Sequence, residues 1–563
     1  MGFFKTFRSV AQSLVRWVKR NRRVCIPVLG IIGLLCFFAW GFFTRIPVFN
    51  REENVKLLSN VFLVLAELML FTFLAVLYMC WCKVKLEYIF LVCALCLGVA
   101  HTFIVVPFGT CDEIDHFSTA YHYSNKLLGV GPTKSGKTIY MREDDMAFYE
   151  KTEKSVNIYH PERDGLAKYY RIMGTELFSL KTSNKLVEFG GTKINGPVVK
   201  MTPTVYVPQA LGITAARLLN LGGCPTYYLG RLCNLITYAV LVFFAIRFMP
   251  FGKKMLTVAA MLPIMIHQSA SYSYDVSVVS FAFLFFAYSL KMAFGPGKVR
   301  WKNVIVLCAL AALLAPAKVV YCFICLTCFL IPKEKFSELN LARYKKAIPI
   351  ALVLITAFLS FGVFASAVVG RIIDPSYTQP LAEARPVTLG YLLRNMQVIP
   401  MIIFNSIITE GYKYLEDMLC ANLGWLNLPI NPLLIYSVFT ILLMSAIKHR
   451  GEHQLNGKNK LLLFGIAAVT MILVCASMLF GWTMIPKTDQ AFADFRIRGV
   501  QGRYFLPMLP VLLILFQSRA ISWKKNIDRA LTVAILTVNI FVIGNMYGHM
   551  IGVLRQILTD TPQ

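Results

Sequence analysis

The sequence predicts an all-α integral membrane protein, a polytopic bundle of about 11–13 transmembrane helices with a large extracytoplasmic loop and interfacial helices. Of its 563 residues, 57% are hydrophobic and only 15% are charged, whereas soluble proteins are about a quarter charged. The apolar residues form separate runs of about 20 residues, the length of helix that crosses a hydrocarbon core. These runs lack the alternation of a barrel strand, so we expect helices.

The net charge of +28 does not indicate a nucleic-acid partner. Its basic residues lie mostly in short connectors between apolar runs, where they fix the orientation of a membrane protein. A basic segment also precedes the first run, 24–46. That run is too long for a signal peptide and has no small-residue cleavage site. We therefore expect a retained first helix and a cytoplasmic N-terminus.

With this orientation, the predicted spans are 24–46, 57–82, 86–106, 226–249, 254–270, 275–293, 303–315, 319–332, 347–369, 430–447, 461–480, 504–520 and 530–551. The predicted regions are the cytoplasmic N-terminus 1–23, the first three transmembrane helices 24–106, the extracytoplasmic loop 107–225, the helices of 226–369 with a short hairpin at 303–332, the extracytoplasmic interfacial segment 370–429, and the C-terminal helices 430–563 with an outer loop at 481–503. Residues 205–221 are expected to form an interfacial or re-entrant helix. All long loops then lie outside, so we expect the chemistry there.

Gly131–Thr138 matches the P-loop pattern G-x-x-x-x-G-K-[ST]. This motif binds phosphates only between a strand and a following helix. The preceding residues have helical periodicity and the following ones begin a helix poorly. Nucleotide binding at 131–138 is therefore not expected.

Cys111-Asp-Glu-Ile-Asp-His116 places three acids and a histidine where a span emerges on the outer side. A capping box from Thr110 to Glu113 would explain part of the pattern. A catalytic or metal-binding role is the alternative. Cysteines inside the spans, such as Cys322, Cys325 and Cys328, are expected to pack, whereas Cys111, Cys224 and Cys420 are expected to be solvent-accessible.

Several polar residues stand at the outer membrane boundary. Arg503 could bind a lipid phosphate or anchor the interface together with Tyr504. Lys318 lies at the predicted tip of the short hairpin, and Arg231 lies in the outer part of a span. Both cations suit an anionic ligand.

Five motifs together resemble a known family: Pro107–Phe117, Leu229–Asn234, Ser273-Tyr-Asp275, Ala317-Lys318 and Gln501–Pro507. The chain is similar to the bacterial multi-pass membrane proteins grouped as domain of unknown function 2142, which resemble the GT-C superfamily of glycosyltransferases that use polyprenyl-phosphate sugars. The similarity covers roughly 100–550. The family usually has proline where this chain has Cys111.

The resemblance implies transfer of a sugar from a polyprenyl-phosphate donor to a glycan acceptor on the extracytoplasmic face of a bacterial inner membrane. It makes Asp112 and Glu113 the candidate base pair and His116 a supporting residue. The implied lipid-phosphate and substrate ligands are Arg503, Lys318, Arg231, Gln501, Tyr504 and Asp275. It leaves dependence on a divalent metal ion open. A transporter or flippase of lipid-linked glycans is the alternative function.

Overall fold

A computed structural model describes residues 54–135, 138–155, 163–183, 185–191, 203–314, 318–336, 343–364, 385–486, 493–518 and 520–551, with Gly33 and Val198. The predicted N-terminus 1–23 and, apart from Gly33, the predicted span 24–46 lie outside these residues.

Helices make up most of the described chain. The α-helices are α1 Asn54–Trp81, α2 Leu86–Ile104, α3 Glu113–Leu127, α4 Glu143–Ser155, α5 Arg163–Glu176, α6 Val207–Leu218, α7 Gly223–Phe248, α8 Lys253–Ala260, α9 Pro263–Ser269, α10 Asp275–Phe294, α11 Trp301–Leu314, α12 Ala347–Phe364, α13 Leu389–Arg394, α14 Val398–Leu419, α15 Pro432–Ala446, α16 Gly457–Gly481, α17 Leu509–Leu513 and α18 Asp528–Met550. The 3₁₀ helices are Pro203–Val205, Val319–Leu330, Lys333–Lys335, Gly502–Met508 and Ile514–Phe516.

The strands of the described chain are short and form antiparallel pairs. β1 Ile139–Arg142 pairs with β2 Leu186–Phe189 in the loop between α2 and α7. The other strands have two residues each: β3 Arg385–Pro386 pairs with β6 Met484–Ile485, and β4 Asn422–Leu423 pairs with β5 Leu428–Pro429.

Six helices of the described chain are long and apolar enough to cross a membrane, and five further apolar helices are shorter. The long ones lie within α1, α2, α7, α10, α16 and α18, and the shorter ones are α11, Val319–Leu330, the first part of α12, α15 and Gly502–Phe516. Each coincides with a predicted span. The prediction of an all-α membrane protein is confirmed.

The predicted span 254–270 is interrupted. α8 ends at Ala260 and α9 begins at Pro263, because proline has no N–H and disfavours helical backbone in the residue before it. Buried side chains satisfy the carbonyls freed at the break. The Tyr238 hydroxyl donates to the Ala260 carbonyl at 2.5 Å and Asn539 Nδ2 donates to the Met261 carbonyl at 2.8 Å. Such compensation makes a broken helix tolerable inside a bundle.

The second arm of the predicted hairpin is the twelve-residue 3₁₀ helix Val319–Leu330. With three residues per turn, side chains at i and i+3 align in one row. Cys322, Cys325 and Cys328 therefore share a face, all three buried. Cys325 Sγ lies 3.8 Å from the hydroxyl of Thr356 on α12. The row of small side chains lets α12 pack closely.

α7 lies at the centre of the bundle and packs against α2, α6 and α10. Gly230 on α7 permits a close approach, because a Cβ there would lie 2.0 Å from the Tyr272 hydroxyl. That hydroxyl donates to the Tyr227 carbonyl at 2.8 Å. The segment 267–275, which connects α9 to α10, is thereby held against α7.

The basic connectors come together at one end of the bundle. Lys253 lies 3.7 Å from Glu87 at the start of α2, and Lys254 lies 3.6 Å from Glu452. Arg529 Nη2 lies 3.5 Å from the carbonyl of Val84. The other end of α2 leads directly into Asp112 and α3, so the basic connectors and the Asp112 segment stand at opposite ends of a membrane-length helix.

The predicted interfacial helix at 205–221 is α6. Its twelve residues extend about 18 Å, less than the thickness of the hydrocarbon core. One face is apolar and exposed at Val207, Leu211 and Leu218, while Ile213 and Ala216 are buried against the rest of the protein. This amphipathic pattern suits a helix that lies along an interface.

Candidate functional site

Four separate chain segments meet at the end of the bundle opposite the basic connectors. They are the N-termini of α3, α10 and the 3₁₀ helices Val319–Leu330 and Gly502–Met508. Each contributes a charged side chain: Asp112, Asp275, Lys318 and Arg503 respectively. The fold therefore brings together four of the predicted site residues, which come from four of the five motifs.

Asp112 precedes α3 in the left-handed region of backbone space, with φ 57° and ψ 18°. Aspartate tolerates this conformation better than most residues. Its side chain caps no helix hydrogen bond and is 46% exposed, the most accessible of the four charged groups. The desolvation that accompanies partial burial raises the pKa of Asp112, and the charge of Arg503 opposes that rise.

Asp275 lies between the two cations. Lys318 Nζ donates to Asp275 Oδ1 at 2.7 Å, and Arg503 Nε lies 3.3 Å from Asp275 Oδ2. Arg503 Nη2 also lies 3.9 Å from Asp112 Oδ2. Arg503 is therefore placed between the two aspartates, and Asp275 fixes both cations beside the exposed carboxylate of Asp112.

Two aromatic rings cover the lysine. Lys318 Nζ lies 5.0 Å from the centre of the Tyr274 ring and 4.4 Å from that of Tyr504. These are cation–π distances. The Tyr321 hydroxyl donates to the Tyr504 carbonyl at 2.7 Å, which ties the two 3₁₀ helices together.

Glu113 and Arg231 form a separate ion pair beneath this cluster, and neither side chain is exposed. Arg231 Nε and Nη2 donate to the two carboxylate oxygens at 2.9 and 2.7 Å. The remaining guanidinium donors reach three carbonyls at the end of α2, those of Thr102, Val105 and Val106. Glu113 also accepts from the backbone N–H of Tyr272 at 3.1 Å.

This arrangement corrects two predicted roles. Every donor of Arg231 is used within the protein, so Arg231 has none left to bind a lipid phosphate. Glu113 is fully buried and bonded to that guanidinium, which leaves it unable to reach an acceptor as a base. The pair instead joins α2, α3, α7 and the 267–275 connection, and it positions Asp112.

The predicted capping box is only half present, because the Thr110 N–H approaches Glu113 Oε2 at 3.4 Å while the Thr110 hydroxyl has no partner among the described residues.

His116 lies one turn into α3 and is buried. Its Nδ1 is 2.8 Å from the Tyr206 hydroxyl, and its ring packs edge-on against Tyr274. Burial lowers the pKa of His116 to about 3. A neutral imidazole at this position supports the Tyr274 ring that covers Lys318.

An apolar groove begins beside the charged cluster. It has a volume of about 580 Å³ and lies between α14, α16 and the segment 502–512. Phe505, two residues from Arg503, is part of its wall. Gly502 allows the segment to pack there, because a Cβ would lie 2.2 Å from the Tyr414 carbonyl. Isoleucine, leucine and methionine side chains form most of the lining.

The site residues do not fit a divalent metal ion. Both oxygens of Asp275 face cations, and Arg503 stands between Asp275 and Asp112. Metal sites of hard cations require several oxygen ligands converging on one point. In the part of the chain that the structure covers, no group of three or more histidine, cysteine, aspartate or glutamate side chains is arranged to hold a metal.

The P-loop look-alike has the reverse of the order that phosphate binding requires. α3 precedes it and β1 follows it, whereas a P-loop joins a strand to a helix. Gly136 and Lys137 lie outside the described residues.

The expectation that Cys111, Cys224 and Cys420 are solvent-accessible is wrong. All three are buried. Cys111 lies under the β4–β5 turn, with its Sγ 3.6 Å from the Gly424 carbonyl. Sequence cannot show this cover, because the turn comes from more than 300 residues further along the chain.

Sequence analysis also missed Asp417 and Asn422. The Asn422 amide donates to Asp417 at 2.9 Å, and both residues line a small cavity next to Arg503 and Gln501. Asp417 falls at the end of an amphipathic helix, where an acid has no local signal to set it apart from a solvated one.

The bundle and its charged end define a polytopic membrane protein. The model of a family described as "Predicted membrane protein (DUF2142)" matches residues 95–512. The chain belongs to this family. No curated protein and no solved structure matches the chain.

Proposed function

We propose that this protein is a membrane glycosyltransferase that transfers a sugar from a polyprenyl-phosphate donor to a cell-surface polysaccharide or related glycopolymer. The observation that carries the proposal is the half-exposed carboxylate of Asp112 beside Arg503 and Lys318, in a cluster that the chain links to an apolar groove through Phe505, two residues after Arg503. A base, a phosphate site and a lipid site are the three things that such a transfer needs.

Asp112 is the proposed general base. In the reaction, the acceptor hydroxyl oxygen forms a bond to the anomeric carbon and its proton passes to Asp112. The bond between that carbon and the phosphate oxygen breaks on the opposite face, and the phosphate leaves with the electron pair. A raised pKa makes Asp112 a better proton acceptor than an ordinary aspartate.

Arg503 and Lys318 are the proposed ligands of the departing phosphate. Unlike Arg231, Arg503 is not saturated: among the described residues its buried Nε makes no hydrogen bond. Lys318 donates to Asp275 and turns toward two aromatic rings rather than toward further acceptors. Fixed cations stabilise the charge that develops on the leaving group without having to reorganise.

The groove accounts for the lipid part of the donor. Its lining is apolar except at Ser406 and the edge of Tyr414. An isoprenoid chain in this groove would run from Phe505 past α14 and α16, with its phosphate next to Arg503. A soluble nucleotide-sugar donor would have no use for such a surface.

The arrangement of charge supports an extracytoplasmic site in a bacterial inner membrane. The basic connectors gather at the end of α2 remote from Asp112, and such connectors favour the cytoplasm. A flippase or transporter would move a charged headgroup through the bilayer along polar groups near its midplane. Four ion pairs instead fall at the two ends: Glu113–Arg231, Asp275–Lys318, Glu87–Lys253 and Glu452–Lys254.

The test is sugar transfer in membranes that contain the Asp112→Asn variant, with a radiolabelled polyprenyl-phosphate sugar as donor. Loss of a general base lowers the rate by about 10²- to 10⁴-fold. Lys137→Ala, in the P-loop look-alike, is the control and should keep full activity. Wild-type rates in Asp112→Asn at equal protein levels would overturn the proposal. An inactive but folded Lys137→Ala would revive nucleotide binding.

A further inference from the structure

A small cavity with polar side chains in its lining lies next to Arg503. Its volume is about 20 Å³, room for about one water molecule or one hydroxyl group. Its lining includes Thr110, His267, Gln501 and Arg503, together with Asp417 and Asn422 from the end of α14 and the β4–β5 turn.

Buried polar atoms without partners are concentrated here. Thr110 Oγ1, His267 Nδ1 and Gln501 Oε1 all belong to lining residues, and within the described chain none of these atoms has a hydrogen-bond partner. Thr110 and His267 are 6% and 2% exposed. Each buried group left unpaired costs free energy, so several at one cavity indicate a missing polar ligand.

The unpaired atoms offer both donors and acceptors. His267 Nε2 accepts from the backbone N–H of Gly424 at 3.1 Å, so the ring is neutral and its proton is on Nδ1. His267 Nδ1–H is a donor, and Gln501 Oε1 is an acceptor. A hydroxyl group accepts from a donor and donates to an acceptor at once, so it satisfies this set. A phosphate oxygen has no proton to give to Gln501.

The position of the cavity selects among possible hydroxyl groups. Phe505 lines the apolar groove, while Gly502 and Arg503 of the same 3₁₀ helix line the cavity. α14 also contributes to both walls: Met418 lines the groove and Asp417 lines the cavity. The apolar groove and the cavity that contains Arg503 thus adjoin the same two segments, as the isoprenoid and the sugar phosphate of one donor would require.

We infer that this cavity receives one hydroxyl group of the sugar carried by the donor, with Gln501 and His267 as its partners, an inference that rests on the proposed function. Gln501 and His267 are then specificity-determining residues. A donor whose sugar lacks that hydroxyl leaves the buried atoms unpaired and binds less tightly.

The experiment measures equilibrium binding to the full-length protein in detergent. The probes are undecaprenyl phosphate and undecaprenyl phosphates that carry glucose, galactose, mannose or N-acetylglucosamine. We expect at least one sugar to improve binding over the bare lipid phosphate by about tenfold or more, the effect of one buried hydrogen bond. Gln501→Leu should abolish that gain and leave binding of undecaprenyl phosphate unchanged. Single-deoxy versions of the best sugar should then identify the hydroxyl.

The matched control is Gln517→Leu. Gln517 is also buried with an unpaired Oε1 among the described residues, but it lies beyond the groove at the basic end, and its variant should keep the gain. If Gln501→Leu does not fold, Gln501→Met replaces it, because methionine is closer in length and shape to glutamine and also lacks the acceptor. Should no sugar improve binding, or the gain survive Gln501→Leu, the cavity holds water only and the inference fails by itself. Absence of binding even by undecaprenyl phosphate would overturn the proposed function and this inference together.

Discussion

The buried pair of Glu113 and Arg231 gives the sharpest prediction about stability. Glu113→Gln removes one charge and leaves a guanidinium at zero exposure without its counter-ion. Breaking a buried pair from one side costs about 3–5 kcal/mol of the free energy of unfolding. Arg231→Met should cost at least as much, because it also takes the donors away from the carbonyls of Thr102, Val105 and Val106.

The double variant measures the interaction between Glu113 and Arg231 apart from the contacts that each makes with other residues. Because either single change already breaks the pair, Glu113→Gln with Arg231→Met should be more stable than the sum of the single changes implies, by about 0.5–3 kcal/mol. The assay is unfolding of the purified protein in mixed micelles as the fraction of denaturing detergent rises. Lys154→Met is the control, since the side chains of Lys154 and its partner Glu150 are 75% and 47% exposed and lie 3.2 Å apart; it should cost at most about 1 kcal/mol.

One result would refute this account. If Glu113→Gln unfolds like the wild type and yet has lost sugar transfer, Glu113 acts in catalysis and does not hold the site together. The opposite result, instability with activity that declines only in proportion to folded protein, would assign Glu113 and Arg231 to positioning.

Two further predictions concern the charged cluster and its sidedness. Burial raises the pKa of Asp112 above the usual 3.8, and only the ionised carboxylate accepts a proton. The transfer rate should therefore fall as the pH is lowered through this raised pKa and should level off at higher pH. A pH–rate profile with no loss of rate above pH 3.8 would contradict the assignment. A cysteine in place of exposed Lys134 should react with an impermeant maleimide in intact cells, whereas one in place of exposed Lys524 should react only after permeabilisation; the reverse pattern would put the site in the cytoplasm.

Much of the fold follows from local sequence. Runs of apolar residues must form helices in a bilayer, and each of the eleven apolar helices within the described residues coincides with a predicted span. The prediction of a continuous span over 254–270 was wrong, because it rested on apolarity alone. Apolarity does not register that Pro263 has no backbone N–H, which is what breaks the helix. Similarly, the apolarity of residues 319–330 predicts a helix but does not distinguish a 3₁₀ helix from an α-helix.

The candidate site divides in the same way. Cys111–His116, Ser273–Asp275, Lys318 and Gln501–Tyr504 could be picked out because charged and polar residues are costly at a membrane boundary unless they have a use. Which of these residues come into contact is decided by tertiary packing between segments that are far apart in the sequence. Glu113 pairs with Arg231 across 118 positions, and the turn that covers Cys111 lies 313 positions away.

The sequence by itself determined that this chain is a helical membrane protein, which of its segments are apolar enough to span, and which polar residues stand at their ends. Each of these conclusions depends on the free energy of transferring a run of neighbouring residues from water into lipid, and that free energy can be read from the sequence. Only the tertiary structure decided the roles within the cluster. Glu113 and Arg231 are buried and saturated with hydrogen bonds, so they have a structural role. Asp112, the preceding residue, has left-handed backbone and an accessible carboxylate. Those differences arise from packing between distant segments, and two adjacent acids in a sequence carry no trace of them.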